Sequence, residues 1–79
     1  MKRTSKNIIG KKVALLRAIH KPPLTQLALS LELNEIGIEV DRSGIAKIEN
    51  GLRCVFDYEI VGLANILKVP ISKLLTGRR

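Results

Sequence analysis

Hydrophobic residues recur along most of the chain at intervals of three or four positions, which is the spacing of one face of an α-helix. Polar residues suited to begin helices precede these segments, and glycine or proline residues follow them. No segment has a strand pattern long enough to argue for a sheet. The sequence therefore predicts an all-α protein with five helices, at about 8–20, 26–36, 42–50, 58–68 and 71–75.

Capping residues set the predicted helix ends. Asn7, Thr25, Asp41 and Asp57 stand where a side-chain oxygen can accept a hydrogen bond from the first turn. Gly51 suits the left-handed turn that ends the third helix. Each helix also carries an apolar stripe for a shared core, and the predicted core residues are Ile8, Ile9, Val13, Leu15, Leu16, Ile19, Leu29, Leu33, Ile36, Ile45, Ile48, Ile60, Leu63, Ala64, Leu67, Ile71, Leu74 and Leu75.

The chain length of 79 residues is enough for one small domain with one hydrophobic core. Hydrophobic residues make up 46% of the chain and aromatic residues only 3%, so this core must be aliphatic. The ends, 1–6 and 76–79, are basic and poor in apolar residues, and we expect them to be flexible tails. For the first tail, a basic arm that orders on DNA is the alternative interpretation.

Lysine and arginine outnumber aspartate and glutamate by 14 to 7, which gives a formal net charge of +7. This excess favours a polyanionic partner, and the charge alone leaves nucleic acid and an anionic membrane surface open. No apolar run reaches the roughly 18 residues needed to cross a bilayer, and the N-terminus lacks a signal-peptide pattern. We therefore expect a cytoplasmic protein with no membrane partner.

Residue types for catalysis or metal binding are scarce. Cys54 is the only cysteine, so no intramolecular disulfide is expected, and His20 is the only histidine. Neither has the neighbours in sequence that a metal cluster or a catalytic nucleophile needs. We expect no enzyme activity, no metal and no cofactor.

The third predicted helix has the most informative sequence. Ile45 and Ile48 would face the core, which leaves Arg42, Ser43 and Lys47 on the outer side without an acidic neighbour. A basic and small-polar face at a helix N-terminus suits the major groove of DNA, where side chains meet base edges and the helix dipole meets phosphate.

Three motifs carry a resemblance to a known family. They are Leu24-Thr25-Gln26, Asp41-Arg42-Ser43 and the run Ile45-Ala46-Lys47-Ile48-Glu49-Asn50-Gly51. Together they resemble the phage-repressor family of helix-turn-helix regulators, the Cro/C1 or XRE type, and the likeness extends over nearly the whole chain. The resemblance implies a five-helix lambda-repressor-like domain whose recognition helix, 42–50, enters the major groove of double-stranded DNA. It also implies a transcriptional regulator, in particular a repressor, that binds two half-sites as a homodimer.

The resemblance gives roles to individual residues. Arg42, Ser43 and Lys47 would contact base edges, with Arg42 or Lys47 the best candidates to bridge guanine O6 and N7. Arg17 and Glu49 would form a partly buried structural ion pair between the first helix and the recognition helix.

The resemblance further implies phosphate contacts by Gln26, Asn50 and Arg53, which would fix the register of the domain on DNA. For Gln26, a solvated position at the start of the second helix is the alternative interpretation.

The connection between the second and third helices is longer than the usual helix-turn-helix turn of about three or four residues. Either the second helix extends to Ile36 with Gly37 just past its end, or the turn itself is enlarged. We prefer the extension, with Ile38 and Val40 fixing the connection to the core.

Leu27 and Leu31 form a second apolar pair on the side of the second helix opposite its core stripe. They would either pack beneath the following loop or form a partner surface, and the sequence favours neither. The second interpretation supports an alternative function, as a protein-interaction module or an antitoxin-like protein that binds a protein partner through the same fold.

Overall fold

A computed structural model of the protein describes residues 3–4 and 6–75, with side chains described from residue 9 onward. The described part is a small, compact and mostly helical fold, as the apolar periodicity predicts. In chain order, the elements are β1 (Arg3–Thr4), α1 (Lys6–Ile19), α2 (Gln26–Glu35), α3 (Arg42–Glu49), β2 (Val55–Phe56), α4 (Asp57–Leu67) and α5 (Ile71–Leu75).

Helix α3 lies at the centre of the packing, because α1 and α2 both pack against it. Helices α4 and α5 close the core from the other side, where α4 contacts α2 and α5 contacts α1. The core is aliphatic, as the composition requires. Its fully buried side chains are Ile9, Val13, Leu29, Leu33, Ile45, Ile48, Val55, Leu63 and Leu74.

Gly10 allows α1 and α3 to approach closely. A Cβ atom at this position would collide with the main-chain carbonyl oxygen of Ile48. Since a backbone atom cannot move aside as a flexible side chain can, the contact requires glycine. This close approach places the buried side of α1 at Gly10 against the end of α3.

The long connection between α2 and α3 begins with an extended second helix, as we preferred. Helix α2 continues to Glu35, with Ile36 as its C-cap and Gly37 in the left-handed region at φ +89°. The amide of Ile38 donates a hydrogen bond to the Leu33 carbonyl oxygen at 2.9 Å, which satisfies an orphan group of the last turn. The helix therefore ends in a well-defined left-handed turn.

Ser30 fixes the other end of this connection. Its hydroxyl donates a hydrogen bond of 2.7 Å to the carbonyl oxygen of Val40, and both residues are buried. Ile38 packs against the core between these two points. The expected roles of Ile38 and Val40 in holding the connection are confirmed.

Strands β1 and β2 form an antiparallel pair in which Arg3 lies opposite Phe56 and Thr4 opposite Val55. Two residues per strand are too few to leave a periodic signal in the sequence, and the prediction of no strands was wrong here. Arg3 and Thr4 in β1 and Lys6 in α1 do not belong to a flexible tail, while Met1, Lys2, Ser5 and 76–79 lie outside the described residues.

Two predicted N-caps were wrong. Asn7 lies inside α1, and Asp57 is the first residue of α4, whose N-cap is Phe56. At α4 the carboxylate of Glu59 accepts a hydrogen bond from the Phe56 amide at 3.0 Å. The Glu59 side chain, in the first turn, thus satisfies the amide of the N-cap Phe56, and α4 begins one residue earlier than predicted.

Several predicted core residues are instead exposed. Leu15 and Ile19 are 54% and 58% exposed, because they lie on the side of α1 that no other described element covers. Ile36 is exposed because it stands at the end of α2, beyond the last turn that packs on the core. In the short α5 only Leu74 is buried, and Ile71 and Leu75 remain 40% and 37% exposed.

Candidate nucleic-acid interface

Helix α3 is short but sharply bounded. Its N-cap, Asp41, has extended backbone angles and accepts a hydrogen bond of 2.7 Å from the Gly44 amide to its Oδ1 atom. Asn50 is the C-cap, and Gly51 follows with φ +72°. The predicted caps at both ends are confirmed, so α3 has well-defined ends that enclose eight residues.

The outer face of α3 carries the three predicted base-contacting residues. Arg42, Ser43 and Lys47 are all exposed, while Ile45 and Ile48 on the opposite side are buried. No hydrogen bond or ion pair engages the Arg42 or Lys47 side chain within the described part of the chain. Both cations are thus free to meet an outside partner, and no carboxylate within α3 faces them.

A network of charged and polar side chains anchors the end of α3. Arg17 donates from Nε to Glu49 Oε2 at 2.7 Å and from Nη2 to Glu49 Oε1 at 3.0 Å, a bidentate ion pair between α1 and α3. The side chains are 20% and 7% exposed. Planar bidentate pairing of this kind is geometrically specific, so it fixes α3 against α1.

Two further contacts extend this network. Arg17 Nη1 donates to the Leu24 carbonyl oxygen at 2.9 Å, just before α2. The hydrogen bonding of Arg17 to Glu49 raises the pKa of Arg17 and outweighs the lowering by burial, and the charge of Glu49 acts in the same direction. The guanidinium therefore remains charged, and it links the end of α1, the start of α2 and the end of α3.

Gln26 joins the same network from the first position of α2. Its Nε2 atom donates to Glu49 Oε1 at 3.0 Å, and the residue is partly buried. This internal contact was not predicted from the sequence, where Gln26 was given a phosphate contact. An amide nitrogen has two hydrogens, so one remains for a partner outside the protein.

Arg53 makes an internal ion pair that the sequence did not predict. Its Nη1 and Nη2 atoms donate to Glu59 Oε1 and Oε2 at 2.9 and 2.7 Å, and Nη1 also donates to the carbonyl oxygen of Cys54. The Glu59 side chain is only 5% exposed and that of Arg53 is 27% exposed. The guanidinium thus binds a buried carboxylate instead of projecting fully into solvent.

The ion pair changes the protonation equilibrium of both groups. Burial by itself would raise the pKa of Glu59, but the hydrogen bonds from Arg53 and from the Phe56 amide, together with the Arg53 charge, lower it overall. The hydrogen bond to Glu59 raises the pKa of Arg53. The sequence contains only a weak signal for this pair, because Arg53 precedes the start of α4 and Glu59 follows it.

Asn50 and the leucine pair are exposed. Asn50 is exposed directly after the last residue of α3. Leu27 and Leu31 are 50% and 57% exposed, so they do not pack beneath the loop that follows α2. Of the two interpretations, burial under that loop was wrong.

The described residues offer little for other chemistry. They contain no group of three or more histidine, cysteine, aspartate or glutamate residues that could hold a metal ion. Cys54 is a free thiol, and the Nδ1 atom of His20 lies 2.9 Å from the carbonyl oxygen of Pro22. In this part of the chain we also find no helix with the length and apolar character needed to cross a membrane.

The amino-acid sequence and the fold were compared with known proteins in three ways. No family model, no curated protein and no solved structure matched the chain. The resemblance to the phage-repressor family therefore rests on the three motifs quoted above.

Proposed function

We propose that the protein is a sequence-specific, double-stranded DNA-binding transcriptional regulator, acting as a repressor in the cytoplasm. Helix α3 would be its recognition helix, and α2 with α3 would form the helix-turn-helix. Binding to two half-sites as a homodimer is part of this proposal. The observation that carries it is the exposed face of Arg42, Ser43 and Lys47 on a helix whose opposite side is buried and whose end is anchored.

The chemistry of this face supports base recognition. An arginine or a lysine can donate to O6 and N7 of guanine, and a serine hydroxyl can donate or accept. Arg42 and Lys47 have no internal ion pair to break before they do so. Binding DNA therefore carries no cost for dissolving an existing contact at these positions.

Rigid support of α3 also favours this function. Base recognition requires that side chains reach fixed positions, so a recognition helix needs a firm orientation. The bidentate pair of Arg17 with Glu49 and the hydrogen bond from Gln26 to Glu49 connect the end of α3 to α1 and α2. The cap at Asp41 defines where α3 begins.

Phosphate contacts are best assigned to Gln26 and Asn50. Gln26 retains one amide hydrogen beyond its bond to Glu49, and Asn50 is exposed just past α3. We rank Arg53 below these two as a phosphate contact, because its two terminal nitrogens already bind the buried Glu59. The general attraction to DNA does not depend on this residue alone, since the chain has a formal charge of +7.

A protein-interaction function is the second candidate. It is favoured by the exposure of Leu27 and Leu31, a pair of large apolar side chains on one helix face. An antitoxin-like regulator would combine this surface with DNA binding. The two functions predict different responses to substitution on α3 and on α2.

The experiment is a fluorescence-anisotropy titration of genomic DNA fragments, followed by comparison of the best fragment with a scrambled copy at several salt concentrations. We expect Arg42→Ala and Lys47→Ala to weaken binding to the best fragment by about 5- to 100-fold, the effect of one lost base contact. Binding to the scrambled copy should change much less. Affinity for both should fall as salt rises.

The matched control is Lys73→Ala, which removes an exposed lysine from α5 and leaves α3 unchanged. It should reduce binding to both fragments slightly and equally. Weak binding of every fragment, unaltered by Arg42→Ala and Lys47→Ala, would refute base recognition by α3. A search for a protein partner at Leu27 and Leu31 would then follow.

A further inference from the structure

The charges of the chain are segregated along the sequence. Positions 1–21 contain seven basic residues and no acidic one, namely Lys2, Arg3, Lys6, Lys11, Lys12, Arg17 and Lys21. Positions 22–41 contain four acidic residues and no basic one, namely Glu32, Glu35, Glu39 and Asp41. Helix α1 thus belongs to a purely basic segment and α2 to a purely acidic one.

Helix α1 presents an apolar and basic surface to solvent, which we call the α1 outer face. Lys11, Leu15 and Ile19 are spaced four residues apart, so they lie along one side of the helix. Leu15 and Ile19 are 54% and 58% exposed, and Lys11 is also exposed. The opposite side of α1, which includes Ile9 and Val13, is buried in the core.

Helix α2 presents an apolar and acidic surface, which we call the α2 outer face. Leu27, Leu31 and Glu35 follow the same spacing of four, and Leu27 and Leu31 are 50% and 57% exposed. Glu35 is exposed, and Glu32 beside it adds a second exposed carboxylate. Here too the opposite side of the helix, with Leu29 and Leu33, is buried.

The two faces match when the helices run antiparallel. Lys11 then lies opposite Glu35, Leu15 opposite Leu31, and Ile19 opposite Leu27. Each of these facing pairs consists either of two apolar residues or of two opposite charges, and no facing pair combines like charges. Within one molecule the faces cannot meet, because each is the side of its helix that points away from the core.

We propose that the α1 outer face of one molecule binds the α2 outer face of a second copy of the same chain. We identify the partner as a second copy because the two faces are complementary in charge and in the spacing of their apolar residues when they align in this antiparallel register. Because the two faces differ, the contact is heterologous and copies add head to tail. A protein bound to DNA would thus recruit further copies to neighbouring sites.

The contact should be weak in free solution. Two helix faces of about three turns bury less surface than the roughly 1,000 Å² typical of a stable complex. Two copies on adjacent DNA sites would meet at a much higher effective concentration, where a weak contact suffices. Self-association in the absence of DNA is nevertheless the direct test, and it does not depend on whether the protein reads DNA.

The experiment is sedimentation velocity of the full chain without DNA, at rising protein concentration and at low and high salt. We expect reversible association at low salt that Leu31→Ser weakens by about tenfold or more, as for an apolar residue central to an interface. The matched control is Val61→Ser on α4, a residue of similar exposure, 50%, that lies on neither face. It should leave the association unchanged.

A charge exchange tests the register. Lys11→Glu and Glu35→Lys should each weaken the association, by about threefold to tenfold, because each places like charges opposite one another. The double variant, Lys11→Glu with Glu35→Lys, restores opposite charges and should regain most of the original association. Thermal melting of every variant checks that the fold is intact.

The proposal is overturned if the protein stays monomeric at every concentration at low salt, or if Leu31→Ser has no effect. It is equally overturned if Val61→Ser weakens association as much as Leu31→Ser, which would place the contact elsewhere. Failure of the double variant to recover would exclude the antiparallel pairing of Lys11 with Glu35.

Discussion

Replacing Arg53 with alanine should destabilise the protein strongly. Under the proposed function, it should not change which DNA sequence the protein prefers. The guanidinium of Arg53 supplies two of the three hydrogen bonds received by the Glu59 carboxylate. The Glu59 side chain is 5% exposed, so water cannot readily replace these donors. After the substitution a buried negative charge would keep only the Phe56 amide as a partner.

The size of the effect follows from this geometry. Removing one partner of a fully buried ion pair costs about 3–5 kcal/mol. Arg53 is 27% exposed and the Phe56 amide remains, so we expect a smaller cost, of about 2–3 kcal/mol. A domain of this size has a total stability of about 4–12 kcal/mol. The midpoint of thermal unfolding should therefore fall by about 10–20 °C.

The assay is thermal unfolding followed by circular dichroism, with Arg42→Ala as the matched control. Arg42 is exposed and makes no internal ion pair, so its loss should change stability by less than about 0.5 kcal/mol. A second variant, Arg53→Ala with Glu59→Gln, removes the unpaired charge. It should be more stable than Arg53→Ala alone.

Two results would refute the structural role of Arg53. One is an unfolding midpoint for Arg53→Ala within a few degrees of the original protein. The other is a variant with normal stability whose binding to all DNA falls with a reduced salt dependence, which is the behaviour of a lost phosphate contact.

Three further predictions concern stability. The pKa of Glu59 is lowered in the folded protein, so its contribution to stability is complete above its ordinary pKa of 4.5 and is lost as the pH falls through the folded value. The stability difference between the original protein and Arg53→Ala, measured by urea unfolding, should therefore shrink between pH 7 and pH 3. Ser30→Ala should cost about 1–3 kcal/mol in the same assay, because the buried carbonyl of Val40 loses its donor, and an unchanged midpoint would contradict this. Gly10→Ala should cost about 1–3 kcal/mol through overpacking of α1 against α3, and a gain in stability from the better helix former would show that the helices can separate freely.

The fold was predictable wherever local chemistry decides the structure. Thr25, Asp41 and Gly51 mark helix ends because their hydrogen bonds and backbone angles involve only neighbouring residues. Gly37 also fits its predicted place after an extended α2. Such features can be predicted without knowing how the rest of the chain packs.

The errors in the predicted core have a different origin. Leu15 and Ile19 continue the apolar side of α1, and a helical pattern alone cannot tell which of two apolar flanks another element will cover. The strand pair of Arg3–Thr4 with Val55–Phe56 joins segments more than fifty positions apart, and two residues per strand leave no pattern. Both depend on tertiary packing.

The candidate site divides in the same way. The exposure of Arg42, Ser43 and Lys47 follows from the periodicity of one helix, and all three residues are exposed in the structure. Arg53 could not be assigned from its position alone, because a basic residue after α3 suits a phosphate and a buried carboxylate equally well. Only the three-dimensional position of Glu59 distinguishes these two partners.

The hydrogen bond of Ser30 to Val40 has a consequence for how this protein can diverge. It holds the end of the α2–α3 connection to the core, while the left-handed turn at Gly37 holds the beginning. Between these two anchors, Glu39 is exposed. Residues inserted beside Glu39 would enlarge a surface loop and would leave both anchors, and with them the orientation of α3, unchanged. The connection is thus a place where evolution or an engineer can add residues without changing the direction in which α3 points.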